Sequence, residues 1–198
     1  MQHKLFDDNQ HLVLPEHLMD YTPGFLTTEE SDRLLAHLLD TVPWQQHTQV
    51  MYDKEVQTPR LSAWYGDRKI RYEDNRTPLP WTDELQKVRE KIQFYTGIWF
   101  NGVLLNYYRD HNDSVAWHSD KATVPGLKTE IASLSLGQER NFDFRNKEDH
   151  KLQYAIKLEH GSLLLMKGDL QKFWEHRIAK STIPMKGRIN LTFRKVII

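Results

Sequence analysis

The sequence predicts a mainly β protein of mixed α+β class, a double-stranded jelly roll with helices covering one face. Three observations carry that expectation. From Trp99 onward the chain breaks into short β-like runs between polar turns, at 100–108, 114–119, 130–136, 141–145, 153–158, 162–167, 173–178 and 188–197. Many short strands of this kind build a sandwich or barrel. Two amphipathic helical patterns precede them. Nothing resembling a linker divides the 198 residues, a length that suits one domain with a sizeable core.

The elements follow in order. Residues 1–24 read as an irregular or short-strand lead-in. A helix is predicted from about Thr28, because Thr27 and Glu30 have capping-box spacing and Leu34, Leu35, Leu38 and Leu39 form an apolar stripe. Pro43 ends it. Gln49 to Tyr65 reads as two short strands around a polar turn. Residues 66–81 read as a loop, with Gly66, Pro78 and Pro80 among many charges. A second helix is predicted from near Thr82, burying Leu85, Val88, Ile92 and Tyr95 and closed by Gly97.

Composition narrows the function classes. The chain has no cysteine, which excludes disulfides, thiolate metal sites and thiol catalysis. Lys+Arg and Asp+Glu are equal at 27 each, so net charge gives no global reason to expect nucleic acid. Residues 167–195 are locally basic, with Lys172, Arg177, Lys180, Lys186, Arg188 and Arg194 among them. The stretch Met1 to Gln10 is polar, without the apolar core of a signal peptide. No apolar run is long enough to span a bilayer. A cytoplasmic monomer is the default expectation.

Chemistry concentrates in two places. Ser114–Val115–Ala116–Trp117–His118–Ser119–Asp120 sets an imidazole and a carboxylate two residues apart, on one face of a strand. With His176 from Trp174–Glu175–His176 as third ligand, two imidazoles and one carboxylate leave positions open on a cation. That arrangement suits non-haem Fe(II), which must take a cosubstrate and oxygen together. Taken alone, His-x-Asp is a common tripeptide in a chain with ten His, and His176 is also what a hydrogen-bonded surface histidine looks like.

The second place is Arg188–Ile189–Asn190–Leu191–Thr192–Phe193–Arg194, which alternates strictly. Ile189, Leu191 and Phe193 share an ordinary core face. Arg188, Asn190, Thr192 and Arg194 share the other, where two guanidinium groups suit the bidentate capture of a dicarboxylate. A solvated face paired to acidic groups has the same pattern. Asn106 and Tyr108 likewise share a strand face and offer an amide and a phenol.

Together these pieces resemble the AlkB-like iron(II)/2-oxoglutarate dioxygenases. The ordered matches are Thr58–Pro59–Arg60–Leu61, Trp64–Tyr65–Gly66–Asp67, the run from Phe100 to Asp110, and Trp117–His118–Ser119–Asp120. Ile131 to Gly137 with Arg140, Gly161 to Met166, Trp174–Glu175–His176 and Arg188 to Arg194 complete the set, covering about residues 45–197. The resemblance implies a double-stranded β-helix fold, with Fe(II) held by His118, Asp120 and His176 as the catalytic centre. It implies a 2-oxoglutarate site of Asn106, Tyr108, Arg188, Asn190, Thr192 and Arg194, with O2 as co-reactant; which arginine meets which carboxylate stays open. One domain over 1–198 is implied: a helical lead-in at about 1–45, a nucleotide-recognition lid at about 46–80 and the jelly-roll core at about 99–198.

The implied reaction is oxidative dealkylation of N-alkylated bases in DNA, with RNA as a second candidate. The cosubstrate becomes succinate and carbon dioxide, and the alkyl carbon leaves as an aldehyde. Arg60, Tyr65, Tyr72 and Lys121 fall at positions that meet the substrate in this family, the tyrosines on the lid. The chain departs from the family pattern in Tyr72–Glu73–Asp74–Asn75, where a second aromatic is missing, and at Lys121, commonly an acidic residue. An oxygenase acting on a protein or small molecule, and a metal-binding module without turnover, are the alternative readings.

Overall fold

The computed structural model describes residues 17–51, 54–70, 77–120 and 130–196, and only the backbone of 49–51 and 54. β1 (Met19–Thr22) leads into α1 (Thr28–Thr41). The Thr27 hydroxyl accepts the Glu30 N–H at 3.2 Å, and the Glu30 carboxylate accepts the Thr27 N–H at 2.9 Å. This reciprocal box satisfies two amides that a helix start would leave unpaired. Leu34 and Leu38 bury, while Leu39, expected in the same stripe, is 41% exposed. α2 (Asp83–Thr96) starts at the Thr82 cap and stops at Gly97, whose φ of 71° only glycine adopts without strain. Leu85, Val88 and Ile92 form its buried face. Tyr95 does not join them: in the last helical turn it lies 57% exposed, its ring edge-on to Phe25 and its hydroxyl on Thr22.

Between the helices lie β2 (Thr48–Met51), β3 (Lys54–Gln57) and β4 (Leu61–Gly66), three strands where two were expected. Pro59 has no N–H to donate to a ladder and separates β3 from β4. β2 and β3 form their own hairpin, whereas β4 pairs with β5 (Gly102–Tyr108) at the edge of the main sheet. Each β-like run expected beyond Trp99 coincides with a strand to within a few residues. These are β5, β6 (Val115–His118), β7 (Ile131–Gly137), β8 (Arg140–Asn146), β9 (Gln153–Leu158), β10 (Leu163–Met166), β11 (Trp174–Ile178) and β12 (Arg188–Arg194). One turn of helix, α3 (Leu170–Phe173), was not anticipated.

Two antiparallel sheets face each other, one ordered β1-β10-β7-β12-β5-β4 and the other β6-β11-β8-β9. α1 and α2 cover the outside of the larger sheet. There Leu34, Leu38, Val88 and Ile92 share a buried cluster with Val103, Leu105, Leu134, Ile189, Leu191 and Phe193. A second cluster fills the space between the sheets, around Tyr108, Phe142, Phe144, Met166 and Ile178. The layers are thus helices, large sheet and small sheet, the jelly roll that the alternating runs predicted. No helix among the described residues is long and apolar enough to cross a membrane.

Candidate metal centre and cosubstrate cavity

β12 sits between β7 and β5, so both its edges are paired, and every residue of it is buried. Ile189, Leu191 and Phe193 point to the helices, and the polar alternates point to the smaller sheet. There they line a cavity of about 280 Å³ with Asn106, Tyr108, His118, Asp120 and His176. Arg60 lines the same cavity, as do Leu104, Met166 and Ile178.

His118 and His176 are direct cross-strand partners on β6 and β11. Their ring centroids lie 4.4 Å apart. Asp120 follows just past the end of β6, and its Oδ2 is 3.6 Å from His176 Nε2. One ligand atom from each of the three residues lies within 4.8 Å of the others. His118 Nδ1 is 2.9 Å from the Ala116 carbonyl. A carbonyl only accepts, so Nδ1 carries the proton and the Nε2 lone pair is left for a cation.

Electrostatics prepares the other two. Burial opposes the charge of Asp120, but the Arg194 guanidinium and the two imidazoles outweigh it and hold the carboxyl down at about 2. Burial pushes the His176 imidazole down to about 3, against the pull of Asp120. At neutral pH the set therefore offers one carboxylate and a neutral His176, the protonation states that metal ligation requires. His176 Nδ1 is buried without a hydrogen-bond partner among the described residues. Asp120 Oδ1 accepts from Arg194 at 2.6 Å, which leaves Oδ2 for a cation. The neutral imidazole, whose Nε2 faces Asp120 Oδ2, and the single free oxygen fit a resident divalent metal such as Fe(II).

The two arginines of β12 have different surroundings. Arg194 is engaged by Asp120 at the metal-ligand end. Arg188, seven-residue strand's other end, is 1% exposed, with its guanidinium 5.3 Å from the Tyr108 ring and donating to Ser135 Oγ at 3.0 Å. Burial lowers it only to about 10, so it stays cationic at neutral pH. Its Nε and Nη1 have no hydrogen-bond partner among the described residues. A buried cation with spare donors costs several kcal/mol unless an anion meets it. Asn190 differs: its amide donates to Ser133 Oγ and the Leu134 carbonyl and accepts from Thr192. Asn190 and Thr192 thus hold each other in place while both line the cavity.

Sequence reasoning missed Gln171, Ser133 and Ser135. The Gln171 side chain accepts the Asp120 N–H at 2.8 Å and donates to Met166 Sδ at 3.6 Å. It pins the chain where β6 ends, and no motif marks it because its helix has only four residues. Tyr65 requires a correction. It is 4% exposed and packs in the helix-side cluster, because β4 alternates and its neighbours on that face are Ala63 and Leu105. It therefore lies across the sheet from the cavity. Tyr72 and Lys121 fall outside the described residues.

Residues 19–194 match the model of the 2OG-Fe(II) oxygenase superfamily. With that match over most of its length, the chain belongs to the 2OG-Fe(II) oxygenase superfamily, whose members use Fe(II), 2-oxoglutarate and O2. It is AlkB-like within it. It is 41% identical over 184 residues to human alpha-ketoglutarate-dependent dioxygenase alkB homolog 3, covering 88% of this chain and 64% of that protein. It is 32% identical over 203 residues to mouse DNA oxidative demethylase ALKBH2, covering 96% and 84%. The chain thus spans a little under two thirds of the length of the human alkB homolog 3. A solved structure, that of OsALKBH1, superposes with a TM-score of 0.63 at 20% identity, over 89% of this chain and 97% of that one, which shows the shared fold.

Proposed function

We propose that the chain oxidatively dealkylates N-alkylated bases in DNA, with RNA as a second substrate, and consumes 2-oxoglutarate as it does so. One observation carries the reading: a single cavity joins a metal-competent His118, Asp120 and His176 to a buried, under-partnered Arg188. The relatives named alkB homolog 3 and DNA oxidative demethylase support the substrate class.

In this reading His118, Asp120 and His176 hold Fe(II). Arg188 and Tyr108 receive the distal carboxylate of 2-oxoglutarate, Asn106 and Arg194 meet its keto-acid end, and Asn190 and Thr192 line the same site. When bound, Fe(II) with 2-oxoglutarate and O2 supplies the oxidation of an N-alkyl carbon, yielding succinate, carbon dioxide and an aldehyde. The chain orients and shields. Arg194 keeps Asp120 ionised, Gln171 holds its backbone, and Leu104, Met166 and Ile178 keep the cavity wall apolar. Tyr72, Lys121 and the stretch of about 46–80 outside β4 remain assigned to the lid and substrate side. A base must leave its stack to reach such a cavity. A cytoplasmic monomer goes with this reading and is checked by fractionation and light scattering.

The test is formaldehyde release from oligonucleotides carrying 1-methyladenine or 3-methylcytosine, given Fe(II), 2-oxoglutarate and O2. Release is expected from at least one single-stranded, double-stranded or RNA substrate. Consumption of 2-oxoglutarate without release from any of them points to a protein or small-molecule substrate. No consumption at all leaves a metal-binding module.

A further inference from the structure

Arg60 precedes β4 and reaches into the cavity. Its Nε–H donates to Asn106 Oδ1 at 3.0 Å, and Nη1 approaches the Ser114 carbonyl at 3.5 Å. The backbone adds a tie at the same place, because the Ser114 N–H donates to the Pro59 carbonyl at 2.8 Å. Three segments meet there: the entry to β4, the middle of β5 and the entry to β6, which carries His118.

The bond to Asn106 has a directional consequence. A carboxamide has an acceptor on one side and two donors on the other. Arg60 only donates, so it selects the orientation with Oδ1 toward itself; the flipped amide would set two donors face to face. The Asn106 NH2 group is then turned away from Arg60, has no protein partner among the described residues and belongs to a side chain lining the cavity. A 2-oxoglutarate dianion presents only acceptors there. It is bound by an amide held this way and repelled by one turned around.

We propose that Arg60 is a positioning residue for the cosubstrate, fixing the Asn106 amide so that its NH2 group faces 2-oxoglutarate. The proposal rests on the reading that this cavity takes 2-oxoglutarate. It moves Arg60 from the nucleic-acid side, where the resemblance put it, to the cosubstrate side. Nε is spent within the protein, so the oligonucleotide loses little when the side chain is cut back.

The experiment titrates 2-oxoglutarate calorimetrically into the full chain loaded with Mn(II), and measures binding of a labelled single-stranded oligonucleotide by anisotropy. Arg60→Met is expected to weaken 2-oxoglutarate about tenfold, the range of one lost charge-assisted contact, and to leave oligonucleotide affinity within about twofold. In an Asn106→Ala background the same change is expected to add nothing, since there is no amide left to orient. Asn106→Asp keeps the bond to Arg60 but replaces the donors with an acceptor, and is expected to weaken 2-oxoglutarate at least as far. It serves as the independent reading if Arg60→Met fails to fold. Unchanged 2-oxoglutarate affinity in either variant, additive losses in the double variant, or a loss confined to the oligonucleotide would overturn the proposal. A wild-type chain that binds no 2-oxoglutarate instead overturns the cavity reading itself, so the two failures are told apart.

Discussion

Arg188 and Arg194 share one strand face yet have different work, and their substitutions should separate. Arg188→Met removes the buried cation whose Nε and Nη1 have no partner among the described residues, at the far end of the cavity. It should weaken 2-oxoglutarate by about 1.5–3 kcal/mol, the worth of a charged hydrogen bond, and leave Mn(II) affinity near wild type. Arg194→Met removes the guanidinium that holds Asp120 down. It should weaken Mn(II) binding first, most visibly at low pH, where the carboxyl regains its proton. Both are read by calorimetry. The alternation in residues 188–194 was enough to name the two arginines. Their division of labour was not legible, because it is set by Ser135, Tyr108 and Asp120, which arrive from other strands. Asp113 carries a pH dependence. Burial opposes its charge, but Arg109 grips both its oxygens at 2.8 Å and holds the carboxyl below the usual 3.8. Its contribution is therefore complete above that value and is lost as pH falls through the lowered one. Asp113→Asn should cost about 1–2 kcal/mol at pH 7, discounted because Arg109 is partly solvated. The cost should shrink below pH 3.8, as urea midpoints would show.

The strand pair β6 and β11 carries the ligands, and Arg140 ties their ends together. It is 3% exposed and donates to the carbonyls of Asp110 and Asp113 before β6 and of Ala179 after β11. Arg140→Leu strands those carbonyls in the interior and should destabilise the protein by about 2–4 kcal/mol, with a loss of Mn(II) affinity beyond that of a remote variant equally destabilised. Thermal melts and metal titration check it. The helices were legible because caps and apolar spacing are local: Thr27 with Glu30, Thr82 and Gly97 did what their chemistry dictates. Three features were not. Tyr95 kept helical spacing but lies beyond the reach of the sheet. Tyr65 lies on β4, and which face of a strand meets the helices depends on its partner β5. β4 itself was merged with the preceding hairpin, since strand membership is decided by pairing across the sheet.

The whole molecule owes its fold to apolar layers that do not include the metal ligands. The helix-side cluster contains none of His118, Asp120 and His176. Chelation with EDTA should therefore abolish 2-oxoglutarate turnover while far-UV circular dichroism stays unchanged. Mn(II) together with 2-oxoglutarate should raise the melting temperature by mass action; a chain that unfolds on chelation would contradict this. The fold class was legible at this scale because sandwich strands alternate, but the assembly of one cavity from β5, β6, β11 and β12 was not. β12 is the seam where scaffold and chemistry are one object. Its alternate positions set Ile189, Leu191 and Phe193 on one side and Arg188, Asn190, Thr192 and Arg194 on the other, with no spare position between them. Adding or deleting a single residue within it would turn the guanidiniums toward the leucines and the phenylalanine toward the iron site. Such a strand can change letter by letter but never in length, whereas the surface turns around it are free to grow.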